Sequence, residues 1–259
     1  FPFREVQIES IKKIFRNFKE YGIGTNSIIL GTTGAGKTGI LKRIIKEENN
    51  SIYISVAENN TTHKILKKLS NKNKHSNSEL LNDVIAYFKE NRKILIIDEV
   101  GKIADMELFC NFINSIYRNT QIPIVIATNK WTFVEEMPDD ANSTLMFQKV
   151  EFPCYNAEQL YSICRQRLDL IKEKVSFEIS DESLRFLCAK IVKEQFSSVR
   201  TCLGILLRCI QDRDQSISYI NSQVEYMLEQ DWKNFVHKLT DTEKEFLNIT
   251  LDISETNID

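Results

Sequence analysis

The sequence predicts an α/β fold, a parallel five-stranded sheet flanked by helices and followed by a helical domain, and three observations carry that prediction. An apolar run, Ser27-Ile28-Ile29-Leu30, leads into Gly31-Thr32-Thr33-Gly34-Ala35-Gly36-Lys37-Thr38 and then into the helical pattern that opens Gly39-Ile40-Leu41. A second apolar run, Ile94-Leu95-Ile96-Ile97, ends on Asp98-Glu99. Beyond residue 155 the pattern changes from strands alternating with helices to helix after helix.

The first motif fits G-x-x-x-x-G-K-[ST], the P-loop pattern, at each fixed position. A buried strand delivers the chain to a glycine-rich turn, whose backbone N–H groups can close round a phosphate because Gly34 and Gly36 tolerate the dihedrals it needs. The helix that follows directs its positive end at the same anion. Gly31, Thr32, Thr33, Gly34, Ala35 and Gly36 are therefore the candidate cradle. Lys37 is placed to reach the β- and γ-phosphates, and the Thr38 hydroxyl to ligate Mg²⁺. A glycine turn with no ligand is the plain alternative, and the strand-then-helix context argues against it.

Ahead of this motif, residues 1–22 read as a helix with Val6, Ile8, Ile11, Ile14, Phe15 and Phe18 near one face, ended by Gly22 and Gly24. Behind it, residues 47–50 form a polar turn into a second strand over 51–56. Residues 61–78 carry lysines at 64, 67, 68, 72 and 74, two histidines and no acid, which reads plainly as a solvated helix and loop. A helix near 78–90 then leads into the strand that ends on Asp98-Glu99, a Walker B arrangement. There Asp98 would join the Mg²⁺ shell, and Glu99 would orient and deprotonate an attacking water.

A helix over 106–117 follows, then a strand over 122–128 ending at Asn129, with Pro123 near its start where a missing N–H is tolerable. Asn129 thus emerges at the sheet edge where open parallel sheets bind ligands; an asparagine capping a strand end is the ordinary alternative. Residues 130–147 read as irregular and partly acidic, and 148–152 as a short last strand. The domains are expected at 1–155 and 156–238, the latter with helices near 157–172, 181–194, 197–212 and 216–236. A capped segment over 242–251 reads as the opening of a third domain, expected over 239–259.

The 259 residues carry a formal net charge of -2, which argues against a uniformly basic nucleic-acid binder but not against a local patch. No apolar run approaches the ~20 residues of a membrane span, and the amino end shows no basic-then-apolar leader, so the protein is expected to work inside a cell without a membrane partner. The cysteines at 110, 154, 164, 188, 202 and 209 form no C-x-x-C pair and read as buried free thiols without a structural metal.

A P-loop, an Asp-Glu strand, an Asn-ended strand and a helical domain together resemble the AAA+ ATPases. Asn129-Lys130-Trp131-Thr132-Phe133, Ser143-Thr144-Leu145 and the run from Phe152-Pro153-Cys154-Tyr155 to Leu160 are similar to its initiator branch, which holds the archaeal replication initiators and the eukaryotic origin recognition subunits. The resemblance implies bound ATP or ADP with Mg²⁺. It places Arg4, with Glu5 and Gln7, near the adenine, adds Tyr161 as a nucleotide contact, and makes Ser197-Ser198-Val199-Arg200 a sensor segment whose Arg200 faces the γ-phosphate. It puts 60–75 where the family inserts DNA-touching helices, with Lys64, Lys67 and Lys68 as the phosphate partners, and makes 239–251 the first helix of a winged-helix domain. Three positions depart from the pattern: Cys154 replaces a proline, Gly101 stands where an aspartate is usual, and the family's arginine finger falls on Asp140.

The function implied is that of an ATP-dependent, DNA-binding replication initiator, with ATP as a switch ligand and weak hydrolysis. Origin-like duplex DNA, other initiator subunits and a replicative helicase are the implied partners, in the cytoplasm of an archaeon or the nucleus of a eukaryote. Two alternatives stand beside it: a nucleotide-binding scaffold that does not hydrolyse ATP, and a superfamily 2 helicase fragment, suggested by Phe3-Arg4-x-x-Gln7 ahead of the P-loop.

Overall fold

Five short apolar segments form one parallel sheet: β1 (Ser27–Gly31), β2 (Ser51–Ser55), β3 (Ile94–Asp98), β4 (Ile124–Thr128) and β5 (Gln148–Phe152), in the order β2-β3-β4-β1-β5. The computed structural model describes residues 1–72, 76–171, 178–194 and 198–238, the side chains of 231–238 excepted. β1, β3 and β4 are buried at every residue, as their Ile- and Val-rich runs require of strands covered on both faces. β5 closes one edge and is largely exposed.

The chain divides into two compact units, Phe1–Tyr155 with Ser197–Val199, and Asn156–Phe196 with Arg200–Asp259. In the first unit the sheet is flanked by α1 (Glu5–Tyr21), α2 (Lys37–Glu48), α3 (Thr62–Ser70), α4 (Asn77–Asn91), α5 (Met106–Thr120) and α6 (Asp139–Leu145). Each of the longer helices buries one stripe, such as Leu80, Val84 and Phe88 of α4, and each of these side chains adds about 1.5–3 kcal/mol on leaving water. α1 buries Ile11, Ile14, Phe15 and Phe18. Val6, expected on that stripe, is instead 74% exposed, because at 100° per residue it falls on the face opposite Ile11, Phe15 and Phe18.

The stretch 130–147 is more ordered than its sequence suggests. It holds a 3₁₀ turn at Trp131–Phe133 and then α6, which starts after Pro138 with Asp139 and Asp140 in its first turn, where the helix dipole favours acids. Only Ala141 and Leu145 of α6 are buried, too few to leave a periodic signal.

Asn26, just ahead of β1, fixes the sheet's lower edge. Its Oδ1 accepts from the Ile124 N–H at 2.8 Å and its Nδ2 donates to the Leu145 carbonyl at 2.8 Å, both bonds being buried. Asn26→Ala leaves two buried main-chain groups unpaired and is expected to cost about 2–4 kcal/mol in urea unfolding; a loss under 0.5 kcal/mol would contradict this role.

The second unit carries α7 (Ala157–Ile171), α8 (Asp181–Lys193), α9 (Val199–Asp212) apart from its first residue, and α10 (Ile217–Lys238), with no strand among the described residues. A reciprocal cap starts α7: Gln159 N–H donates to Asn156 Oδ1 at 2.9 Å while Asn156 N–H donates to Gln159 Oε1 at 3.1 Å. The expected start of a winged helix at 239–259 lies outside the described residues.

Candidate nucleotide site

The carboxyl ends of β1, β4 and β3 lie side by side, so the topology brings three separate sequence motifs to one edge. β1 ends in the turn that precedes α2, in which Gly34 (φ 83°) and Gly36 (φ 97°) adopt left-handed conformations. At Gly36 an added Cβ would meet nothing nearer than the Tyr155 hydroxyl at 3.7 Å, so positive φ rather than crowding demands the glycine. At Gly34 an added Cβ would fall 2.1 Å from the Ser198 hydroxyl oxygen, which clusters with this unit. Gly31 lets β5 approach: a Cβ there would sit 2.7 Å from the Phe152 carbonyl oxygen.

Lys37 opens α2, and its Nζ donates to the carbonyls of Gly31 at 2.6 Å and Thr32 at 3.0 Å. Burial pushes its ammonium below the usual lysine range, and Asp98 and Glu99 oppose that shift. The next residue, Thr38, donates its hydroxyl to Asp98 Oδ2 at 2.6 Å. Asp98 is 1% exposed, and its other oxygen accepts the Glu99 N–H at 2.8 Å. A hydroxyl and a buried carboxylate in contact are hard oxygen ligands of the kind Mg²⁺ takes beside phosphates. With the cradle of left-handed glycines, this donor set fits a magnesium nucleotide.

Glu99 stands just beyond β3 with φ 61°, a strained conformation for a residue with a side chain. Its Oε1 pairs with Lys102 at 2.7 Å and its Oε2 accepts from the Ser55 hydroxyl at 3.1 Å. Between β3 and β1, at the end of β4, Asn129 donates its Nδ2 to the Thr33 hydroxyl at 3.4 Å. Gly101 has a local cause: a Cβ there would lie 2.9 Å from the Thr128 hydroxyl and 3.3 Å from Asn129 Oδ1, so an aspartate would displace the end of β4.

Arg4 supports this edge through the P-loop. Its guanidinium is 2% exposed and donates from Nε to the Ala35 carbonyl at 3.2 Å, from Nη2 to the Pro153 carbonyl at 2.6 Å and from Nη1 to the Phe3 carbonyl at 3.2 Å, over the face of Tyr155 at 3.8 Å. Cys154 is exposed, contrary to expectation, with its sulfur 3.7 Å from the Thr32 hydroxyl.

The remaining candidates lie elsewhere. In the second unit Arg200 is exposed on the first turn of α9, and Tyr161 of α7 carries the Arg185 guanidinium 4.1 Å over its ring, with Arg185 also paired to Glu158 at 2.7 Å. On α3 of the first unit Lys64 and Lys68 are exposed and Lys67 is half-buried. Glu58 pairs with Lys68 at 3.2 Å and Asp83 with Lys72 at 3.0 Å, so acids outside 61–78 temper a segment that has none of its own.

Residues 25–135, the strands and helices that carry the P-loop, Asp98-Glu99 and Asn129, match the family model described as an AAA domain. The ORC1-type DNA replication protein 1 of Archaeoglobus fulgidus is 28% identical to the chain, over 79% of this chain and 55% of that protein; its namesake in Sulfurisphaera tokodaii is also 28% identical, over 79% and 56%. Residues 25–135 thus match an AAA domain, and the chain is related to the archaeal ORC1-type proteins at modest identity. It spans about half the length of these curated relatives. Among solved structures the Aeropyrum pernix ORC1 protein in complex with DNA shares the fold with a TM-score of 0.72 at 18% identity, over 93% of this chain and 69% of that one. Cdc6p from Pyrobaculum aerophilum shares it with a TM-score of 0.68 at 16% identity, over 83% and 64%. An AAA domain implies nucleotide binding.

Within this site, three side chains have no counterpart in the sequence reading. Tyr53 of β2 donates its hydroxyl to Asp98 Oδ2 at 3.0 Å, and burial, with Asp98 beside it, drives the phenol's pKa far up, so it remains a neutral donor. Ser55 and Lys102 hold the two oxygens of Glu99. Tyr53 and Ser55 share a face by the two-residue period of a strand, and that β2 lies next to β3 is what brings them to the carboxylates.

Proposed function

We propose that the chain is the nucleotide-binding part of an ATP-governed, DNA-binding replication initiator. The observation that carries the proposal is the meeting of Lys37, Thr38, Asp98, Glu99 and Asn129 at one sheet edge, in a chain related to ORC1-type DNA replication proteins. The turn Gly31–Gly36 binds phosphate through its N–H groups, and Lys37 turns from the carbonyls of Gly31 and Thr32 to the β- and γ-phosphates. Thr38 and Asp98 hold Mg²⁺, which supplies charge neutralisation between the phosphates. Glu99, released by Ser55 and Lys102, orients and deprotonates the attacking water, and Asn129 reads the γ-phosphate or that water. Arg4, through its bond to the Ala35 carbonyl, keeps the cradle in shape.

The DNA contact proposed runs through α3, with Lys64, Lys67 and Lys68 on phosphates, and duplex DNA, other initiator subunits and a replicative helicase are the proposed partners. The solved Aeropyrum pernix ORC1 protein is a complex with DNA, which supports the class of ligand. Replacing all three lysines with alanine is expected to weaken binding about equally on every duplex sequence and to reduce the magnitude of the salt slope by up to ~3 in a log–log plot of affinity against salt. Fluorescence anisotropy at several salt concentrations measures this, and an unchanged slope and affinity would reduce α3 to a solvated face. A second reading, a nucleotide-binding scaffold that does not hydrolyse, is favoured by Asp140 at the finger position.

A further inference from the structure

The six cysteines divide in an unexpected way. Cys164 of α7, Cys188 of α8 and Cys202 of α9 come from three different helices of the second unit, each 0% exposed, and their sulfurs lie within 4.8 Å of one another. The three are buried free thiols, as expected, and sequence spacings of 24 and 14 residues hide a convergence that helix packing creates. Three sulfurs bound to one ion at the ~2.3 Å of a zinc–thiolate bond stand roughly 3.8–4.0 Å apart, a spacing this cluster accommodates with small side-chain movement.

We propose that Cys164, Cys188 and Cys202 form a binding site for a soft, thiophilic d¹⁰ cation, Zn²⁺ or Cu⁺. Soft thiolates select these ions over the hard Mg²⁺ of the nucleotide site. Among the described residues no fourth Cys, His, Asp or Glu joins the three, so these supply a three-sulfur donor set. An ion there ties together the three helices that surround it, among them α9, whose first turn bears Arg200. The site is independent of the nucleotide-binding proposal and stands or falls without it.

The test uses the whole chain, purified in a reductant and stripped with a chelator, then titrated separately with Zn²⁺ and, under anaerobic conditions, with Cu⁺ against a chromophoric competitor. One equivalent of one of these ions is expected to bind, with an X-ray absorption spectrum giving three sulfur neighbours at ~2.3 Å for zinc. Uptake should survive Cys154→Ser, which removes the exposed thiol, and Cys202→Ala or Cys188→Ala should cost at least the ~10–100-fold in affinity that loss of a merely supporting group costs. At a free ion concentration 100 times the dissociation constant, the parent's Tm should rise by roughly 5–10 °C. Because the spectrum of the parent needs no variant, a misfolded Cys188→Ala leaves the proposal testable. No stoichiometric uptake of either ion by the reduced parent, a first shell without three sulfurs, or unchanged affinity in a folded Cys202→Ala overturns it.

Discussion

Purified chain, alone or with DNA, is expected to turn over ATP very slowly, and Glu99→Gln is expected to remove little more. The reason lies in α6. In AAA+ assemblies an arginine from one subunit completes its neighbour's site by stabilising charge on the transferred phosphoryl group, and a comparable finger is worth ~10³–10⁵ in turnover in GTPases. At that position this chain has Asp140, exposed in the first turn of α6, where its carboxylate accepts from the Asn114 amide at 3.3 Å. An aspartate there would repel a γ-phosphate, and no arginine occurs between Arg118 and Arg165. A partner subunit that supplies the arginine should raise the rate. ATPase activity that grows steeply with concentration of the chain alone would contradict this account. Arg118, exposed at the end of α5 and donating to the Thr144 hydroxyl of α6 at 3.0 Å, would then be the first side chain to test, since it flanks the same helix from its other end.

Lys37→Ala should lower ATP and ADP affinity at least tenfold. A charge-assisted contact is worth about 1.5–3 kcal/mol, and each 1.4 kcal/mol is a factor of about ten. The ammonium is already at the loop, bonded to the Gly31 and Thr32 carbonyls, so engaging a phosphate needs a rotamer change and no rearrangement of the backbone. Both of those bonds are only part-buried, so water can replace the ammonium. The variant should therefore keep the parent's ligand-free Tm within a few degrees while losing the rise that Mg²⁺ and ADP give the parent. Thermal scanning with and without nucleotide measures both, and an undiminished rise would remove Lys37 from the site.

How much of this was legible from the residues varies by element. β1 with its glycine turn, and β3 with Asp98-Glu99, were legible because each is a short apolar run punctuated by residues with special chemistry. The boundary near residue 155 was legible as a change of period. α6 was not, since a seven-residue helix with two buried side chains leaves no period. Val6 was misjudged because the helical period puts it on the face opposite Ile11, Phe15 and Phe18. Tyr53, Ser55 and Lys102 were hidden because strand order decides which strand meets the carboxylates, and order is set by packing of the whole sheet. Arg4 was legible as a residue of interest, but its carbonyl partners, Ala35 and Pro153, are 31 and 149 residues away. The cysteine cluster belongs with these, a property of three helices and of no one segment.

The central claim is that nucleotide state at the sheet edge governs the grip on DNA. Its most direct test is the affinity of the parent chain for duplex DNA at fixed salt, measured by anisotropy with Mg²⁺ and either ATP or ADP, beside Lys37→Ala under the same conditions. A difference of ~5-fold or more between the two nucleotides, the low end of ordinary coupling between sites, abolished in Lys37→Ala, is the predicted result. Equal DNA affinity with ATP, with ADP and with no nucleotide, in a chain shown to bind both nucleotides, would contradict it.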